Sequence, residues 1–207
     1  AGICEAWGIN PHHLNDRLHI VDATENPELY VSDNRSAGVV TATFVELLIL
    51  VKSTGAGLVV IDNASDAFGG DEINRRHVRG FMRALARLAI STDSSVCLLA
   101  HVDKSTSRGR LVDGTESYSG STAWHNSARS RLFMSRKPGG LLTLEHQKSN
   151  FGKCREPIRL EWPCSGLPIV TSNGSEAGGS SAEEQGLGVD DHKNAASLLA
   201  LIAEFES

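Results

Sequence analysis

Apolar runs and amphipathic stretches alternate through the first half of the chain, and this alternation predicts an α/β fold. Residues 18–21, Leu-His-Ile-Val, are short and apolar, close on Asp22 and precede Asn26-Pro27 turn chemistry; they predict a buried strand entering a long polar loop. Over 43–52 the residues Phe44, Leu47, Leu48 and Val51 recur at helical spacing, and Gly55 and Gly57 mark the stop. The run Leu58-Val59-Val60-Ile61 ends in Asp62 and predicts a central parallel strand buried on both faces. Over 71–90, Ile73, Val78, Phe81, Met82, Leu85, Leu88 and Ala89 share a helical face, while Arg75, Arg76, Arg79, Arg83 and Arg87 fall mostly elsewhere. That arginine row is either a solvated face or a contact surface for nucleic acid or a subunit. Val96 to Ala100 then form a second apolar strand that ends in His101, completing a βαβ unit and implying a parallel sheet.

The pattern changes afterwards. Residues 103–121 are rich in Ser, Thr, Gly and charge, as expected of a functional or disordered loop. A short helix is predicted over 123–128, then strands over 131–135, 141–146 and 158–162. Pro138-Gly139-Gly140 turns the first two into a hairpin, so the sheet is expected to end antiparallel. The Gly, Ser, Ala and Glu of 171–191 read as a flexible linker, and the apolar helix pattern of 194–205 as the start of a further helical domain over 192–207. Residues 1–170 are then the core.

Composition narrows the function class. With 207 residues, 40% apolar and 22% charged, the chain can bury a sizeable core, and no apolar run reaches membrane-spanning length. A net charge of -5 is unlike that of a constitutive nucleic-acid coat and leaves nucleic-acid contact to local patches. Cys4, Cys97, Cys154 and Cys164 form no metal-type pair and indicate no disulfide framework, which fits a cytoplasmic protein; Cys97 reads as a small core residue.

In open α/β sheets ligands bind beyond the carboxyl ends of the strands, where Asp62, Asn63 and His101 are expected to fall. An Asp closing an aliphatic strand has the form of a Walker B carboxylate, which holds the hydration shell of Mg2+ beside a nucleoside triphosphate, or it simply caps a turn or helix. His101 is either a structural hydrogen-bonding group or a sensor of the γ-phosphate.

The ordered segments LVVIDNASDAF (58–68), LLAHVDK (98–104), YSGSTAWHNSARSRLFM (118–134) and LEHQKSNFG (144–152) resemble the RecA-like P-loop ATPase core, in the group of the plasmid RepA hexameric replicative helicases. The resemblance spans 18–162. It implies a RecA-like, mostly parallel twisted sheet with helices on both faces and an antiparallel C-terminal extension. It also implies a homo-oligomeric ring, expected to be a hexamer, that hydrolyses ATP with Mg2+ and works on single-stranded DNA. By the same resemblance Asp62 is the metal-holding Walker B residue and His101 the polar sensor. Lys148 and Asn150 form a K-x-N-x-G element that reaches the neighbouring subunit's nucleotide. Arginine fingers act in this way elsewhere; Lys stands here, so Arg129 and Arg131 are further nucleotide-binding candidates, each with a surface salt bridge as its alternative reading. Lys104, Arg108 and Arg110 would meet DNA phosphates without reading sequence, unless their loop is simply solvated.

A phosphate loop requires G-x-x-x-x-G-K-[ST], and none of Lys52, Lys104, Lys148 or Lys153 closes one. The expectation is a piece of a longer ATPase, inactive alone, whose P-loop and catalytic glutamate lie upstream; the alternative is a non-hydrolysing RecA-like assembly or regulatory module. A hydrolase or dehydrogenase finds little support, since no G-x-S-x-G follows a strand and no G-x-G-x-x-G opens a helix.

Overall fold

The computed structural model describes residues 4–5, 8–33, 38–101, 122–136, 141–162 and 167–171. The chain divides into two compact units, one formed by residues 11–128 and the other by 1–10 with 129–207.

The 11–128 unit is built around α1 (Ala42–Thr54), β3 (Leu58–Ile61), α3 (Arg75–Thr92) and β5 (Ser95–Leu98). Side-chain chemistry fixes where α1 begins and ends. The Thr41 hydroxyl oxygen accepts from the Phe44 N–H (3.2 Å) and its O–H donates to the Glu28 carbonyl (2.6 Å), so one residue caps the helix and ties it to the preceding loop. At the other end Gly55 takes the left-handed conformation, φ 64°, and returns its N–H to the Val51 carbonyl. Strands β3 and β5 pair in parallel with Val59 beside Val96 and Ile61 beside Leu98, as the βαβ pattern predicts.

Helix α3 starts four residues later than its periodicity suggests. The Asp71 carboxylate accepts from the Ile73 N–H (2.9 Å) and the Asn74 N–H reaches the Asp71 carbonyl, forming a turn that competes with helix; Asn74 then caps α3 through the Arg76 N–H (3.0 Å). Ile73 is therefore left outside the helix, 77% exposed, rather than on its core face. Val78, Phe81, Ala84, Leu85 and Leu88 are buried as the pattern requires, with His77 among them. Phe81 anchors an aromatic cluster: it stacks on Phe68 (5.3 Å between centroids) and receives the edge of Trp124 (6.0 Å) from α4 (Thr122–Ser127). Gly80 lets this packing close, because a Cβ there would collide with the Tyr30 hydroxyl.

Short pieces complete the unit: a 3-10 turn at Pro11–Leu14, β1 (Tyr30–Val31), β2 (Val39–Val40), α2 (Ala64–Ala67) and β4 (Phe68–Gly69). Strand β1 pairs antiparallel with β2 and parallel with β4. These two-residue strands have no periodicity to read. The strand predicted over 18–21 does not form: Leu18, Ile20 and Val21 are 56%, 87% and 60% exposed and join no ladder among the described residues. Apolar character alone makes no strand without a neighbour to share hydrogen bonds. Asp22 instead closes a local turn, accepting from both the N–H and the hydroxyl of Thr24 (3.0 and 2.8 Å), which holds its carboxyl below the usual carboxylate value.

A second correction concerns β3. Val59 and Ile61 are buried, but Leu58 and Val60 are not, and their neighbour Cys97 on β5 is exposed. Alternate residues of a strand point to opposite faces, so only one face of this two-stranded sheet is covered. Neither burial on both faces nor a core role for Cys97 holds.

In the other unit, β6 (Ser130–Arg136), β7 (Leu142–Ser149), β8 (Ile158–Glu161) and β9 (Ile169–Val170) form one antiparallel sheet in chain order, with Leu142, Thr143, His146 and Leu160 buried. The antiparallel strands predicted from the sequence are present, but among the described residues they form a sheet of their own rather than the end of the β3–β5 sheet; β9, of two residues, has no pattern to predict it. The architecture is mixed α/β, with parallel pairs in the first unit and an antiparallel sheet in the second. The predicted turn at 138–140, the loop at 103–121 and the stretch 172–207 lie outside the described residues.

Candidate functional site

Two groups of predicted site residues are brought together, one in each unit. The first lies where β3 and β5 end. Past the last paired residues the two chains stay tied: the Leu99 N–H donates to the Ile61 carbonyl (2.9 Å) and the Ala64 N–H donates to the Leu99 carbonyl (2.7 Å). These bonds fix Asp62 and the residues leading to His101 at one sheet edge, beyond the carboxyl ends of two parallel strands.

The carboxylate of Asp62 is exposed and takes no hydrogen bond or ion pair among the described residues. Asp62 does not cap α2; the next residue, joined to it by a cis peptide bond, does. The Asn63 Oδ1 accepts from the N–H groups of Ser65 (2.9 Å) and Asp66 (3.3 Å), while its Nδ2 donates to the Asp66 carboxylate (2.9 Å). Asn63 is thus occupied in shaping the turn. Its cap leaves the Asp62 carboxylate available, and the imidazole of His101, likewise exposed, makes no hydrogen bond among the described residues. A single unengaged carboxylate suits Mg2+, which keeps most of its waters and takes one or two protein oxygens together with substrate phosphates. It does not suit a metal caged by protein, and no cluster of three or more His, Cys, Asp or Glu side chains exists among the described residues.

The second group sits at the end of the β6–β7 hairpin. Register places Arg131 opposite Lys148, and the Asn150 N–H donates to the Arg129 carbonyl (2.9 Å), so Arg129, Arg131, Lys148 and Asn150 share one end of the sheet. Loss of hydration, then the nearby Arg129 charge, lower the Lys148 pKa from its ordinary 10.5.

His146 was not singled out by sequence reasoning, yet it organises this end. Its Nδ1 accepts from the Arg155 N–H (3.2 Å), which leaves Nε2 as the donor to the Ser130 hydroxyl at 3.2 Å. The buried ring thereby joins β6, β7 and the segment beyond β7. The register shifts between Arg131 and Leu132, with Leu132 opposite His146 and Arg131 opposite Lys148, so Gln147 is the extra residue of a bulge. Alternating hydrophobicity gives no sign of that bulge. The predicted DNA contacts Lys104, Arg108 and Arg110 lie outside the described residues.

Comparison with known proteins bears on the family and the fold. A family model described as an AAA domain matches residues 4–107, a span that contains β3, β5, Asp62 and His101. Among solved structures, the chain is similar to an ATPase domain, at 14% identity and a TM-score of 0.50, over 62% of this chain. It spans half the length of that structure. At this identity the likeness concerns the mixed α/β fold alone. A search of curated proteins finds no match. No helix among the described residues is long and apolar enough to cross a membrane. On the family match, which covers half of its residues, the chain belongs to the AAA domain family.

Proposed function

We propose that this chain is the Walker B to hairpin portion of a RecA-like ATPase of the plasmid RepA group, acting in the cytoplasm as a hexameric ring on single-stranded DNA. The observation that carries the reading is the tied end of β3 and β5, which holds an exposed, unengaged Asp62 at the same edge as His101.

In this reading Asp62 would be the residue that holds a hydrated Mg2+. Such an ion, held through Asp62, would supply charge neutralisation for phosphoryl transfer. Asn63 positions Asp62 by holding the turn that follows the strand. His101 donates to the γ-phosphate or releases it, and so reports hydrolysis to the segment that follows. Lys148, with Arg129 or Arg131, meets the nucleotide of a neighbouring subunit and stabilises charge on the transferring group. Asn150 helps hold that end of the hairpin through its backbone bond to Arg129.

The phosphate cradle is assigned to sequence outside these residues, since no G-x-x-x-x-G-K-[ST] occurs among them. That absence also favours the second reading, a RecA-like module that assembles or regulates without hydrolysing. ATP turnover by the protein as its gene encodes it, with and without single-stranded DNA, separates the two. Turnover that is stimulated by DNA and lost in Asp62→Ala supports the motor, whereas nucleotide binding without turnover supports the module.

A further inference from the structure

We propose that the outer face of α3 is a binding surface for a nucleic-acid phosphate backbone, separate from the candidate nucleotide site. Arg75, Arg79, Arg83 and Arg87 recur every fourth residue and form one ridge of the helix, with Arg76 beside it. The step along this ridge is about 6 Å. All five side chains are exposed, and no carboxylate among the described residues pairs with any of them. Among the described residues the one side-chain hydrogen bond along the row is made by Arg83, whose Nε donates to the Arg79 carbonyl (3.1 Å).

Helix stability does not explain this arrangement. Like charges four residues apart repel, and the first turn carries two arginines and no acidic residue, against the helix dipole. A chain with a net charge of -5 has thus gathered a quarter of its 20 basic side chains on one helix where they oppose folding. Buried apolar residues on the inner face hold the helix in place despite this.

The chemistry of the row selects its ligand. Guanidinium forks suit phosphate oxygens, and an exposed row of them gives contact through charge without base readout. Small residues, Gly80 and Ala86, lie between the arginines in sequence. The one large apolar side chain exposed on this face of the helix is Ile90, at its C-terminal end, a single aliphatic group beside five guanidinium groups and a small anchor for a protein interface; the face carries no aromatic platform for stacking bases. Duplex and single strand share the backbone chemistry and are separated by the experiment.

Binding of fluorescent single-stranded and duplex oligonucleotides of equal length is measured by anisotropy across a salt series. The protein carries Asp62→Ala and no nucleotide is added, so the outcome does not depend on the ATPase reading. The combined Arg79→Ala, Arg83→Ala and Arg87→Ala variant should bind at least tenfold more weakly at low salt. Its log-log salt slope should fall by about 2 for single strands, or nearer 3 for duplex. The corresponding Lys variant should keep most of the binding. If the triple variant does not fold, Arg83→Ala alone should lower the slope by about 0.7 to 0.9. The proposal is overturned if the parent protein binds neither oligonucleotide, or if affinity and slope survive these substitutions and fall only when Lys104, Arg108 and Arg110 are replaced. Displacement by polyglutamate as effective as by an oligonucleotide of equal charge also overturns it, in favour of an acidic protein partner.

Discussion

The end of the β3–β5 pair and the end of the β6–β7 hairpin differ in charge, in surroundings and in what holds them. At the first, Asp62 stands exposed with no partner among the described residues, and a neighbouring cap does the structural work. At the second, register brings cations together, and loss of hydration, with the Arg129 charge as the lesser cause, lowers the Lys148 pKa. A carboxylate left free and cations held close make complementary demands, the former for a hydrated divalent ion and the latter for phosphate oxygens. Either could be structural if taken alone. Their opposite chemistry is what makes the proposed assignment to one nucleotide reaction specific.

The strongest test of the contrast is to remove its most important member on each side. In the protein as encoded, Asp62→Ala should lower ATP turnover by about 10³ or more, and Lys148→Ala by about 10² to 10³, with the latter loss falling on kcat. If Lys148 acts on a neighbour's nucleotide, mixing the two inactive variants should restore part of the turnover, because some interfaces then pair an intact Asp62 with an intact Lys148. Mixtures that stay inactive would place both residues in one site or leave Lys148 outside the chemistry.

Next in size is the support beneath the hairpin end. His146→Phe keeps the ring volume but strands the Ser130 hydroxyl and the Arg155 N–H, and should cost about 1–3 kcal/mol in denaturant unfolding. A value near zero would mean that water replaces the histidine. By contrast, Asp62→Asn removes a charge that no group among the described residues opposes, and its unfolding free energy should stay within about 0.5 kcal/mol of the parent.

Smaller still is the titration of Lys148. Its amine should lose its proton below the ordinary lysine value of 10.5, as followed by NMR of the labelled side chain. Because the folded state then binds fewer protons than the unfolded chain between the two pKa values, this group makes stability rise with pH across the window just below 10.5. Arg129→Gln should move the value only part of the way back, since loss of hydration is the larger cause. Full recovery would show that the arginine charge dominates.

The same contrast separates what was legible in the sequence from what was not. Asp62 and His101 could be placed together because two apolar runs joined through a helix allow few topologies, and the parallel pair follows from them. The hairpin was legible from alternation and its Pro-Gly-Gly turn. The single-face burial of β3 was not, because an unbroken apolar run looks the same whether one face or both are covered. Residues 18–21 misled for a related reason: hydrophobicity marks a strand's composition and says nothing of its partner. His146 escaped notice because its role comes from bonds to Ser130 and Arg155, 16 residues before it and 9 after. Asn63 falls beside Asp62 at the expected ligand-binding edge, and that its side chain also caps the following helix is visible only in the cap geometry.

The measurement that bears most directly on the account is steady-state ATP hydrolysis by the protein as encoded, with Mg2+, with and without single-stranded DNA, in parent and Asp62→Ala forms. The account predicts turnover that DNA stimulates and that Asp62→Ala abolishes while the fold is retained. Equal turnover in the two forms, or none in the parent despite bound ATP, would contradict it.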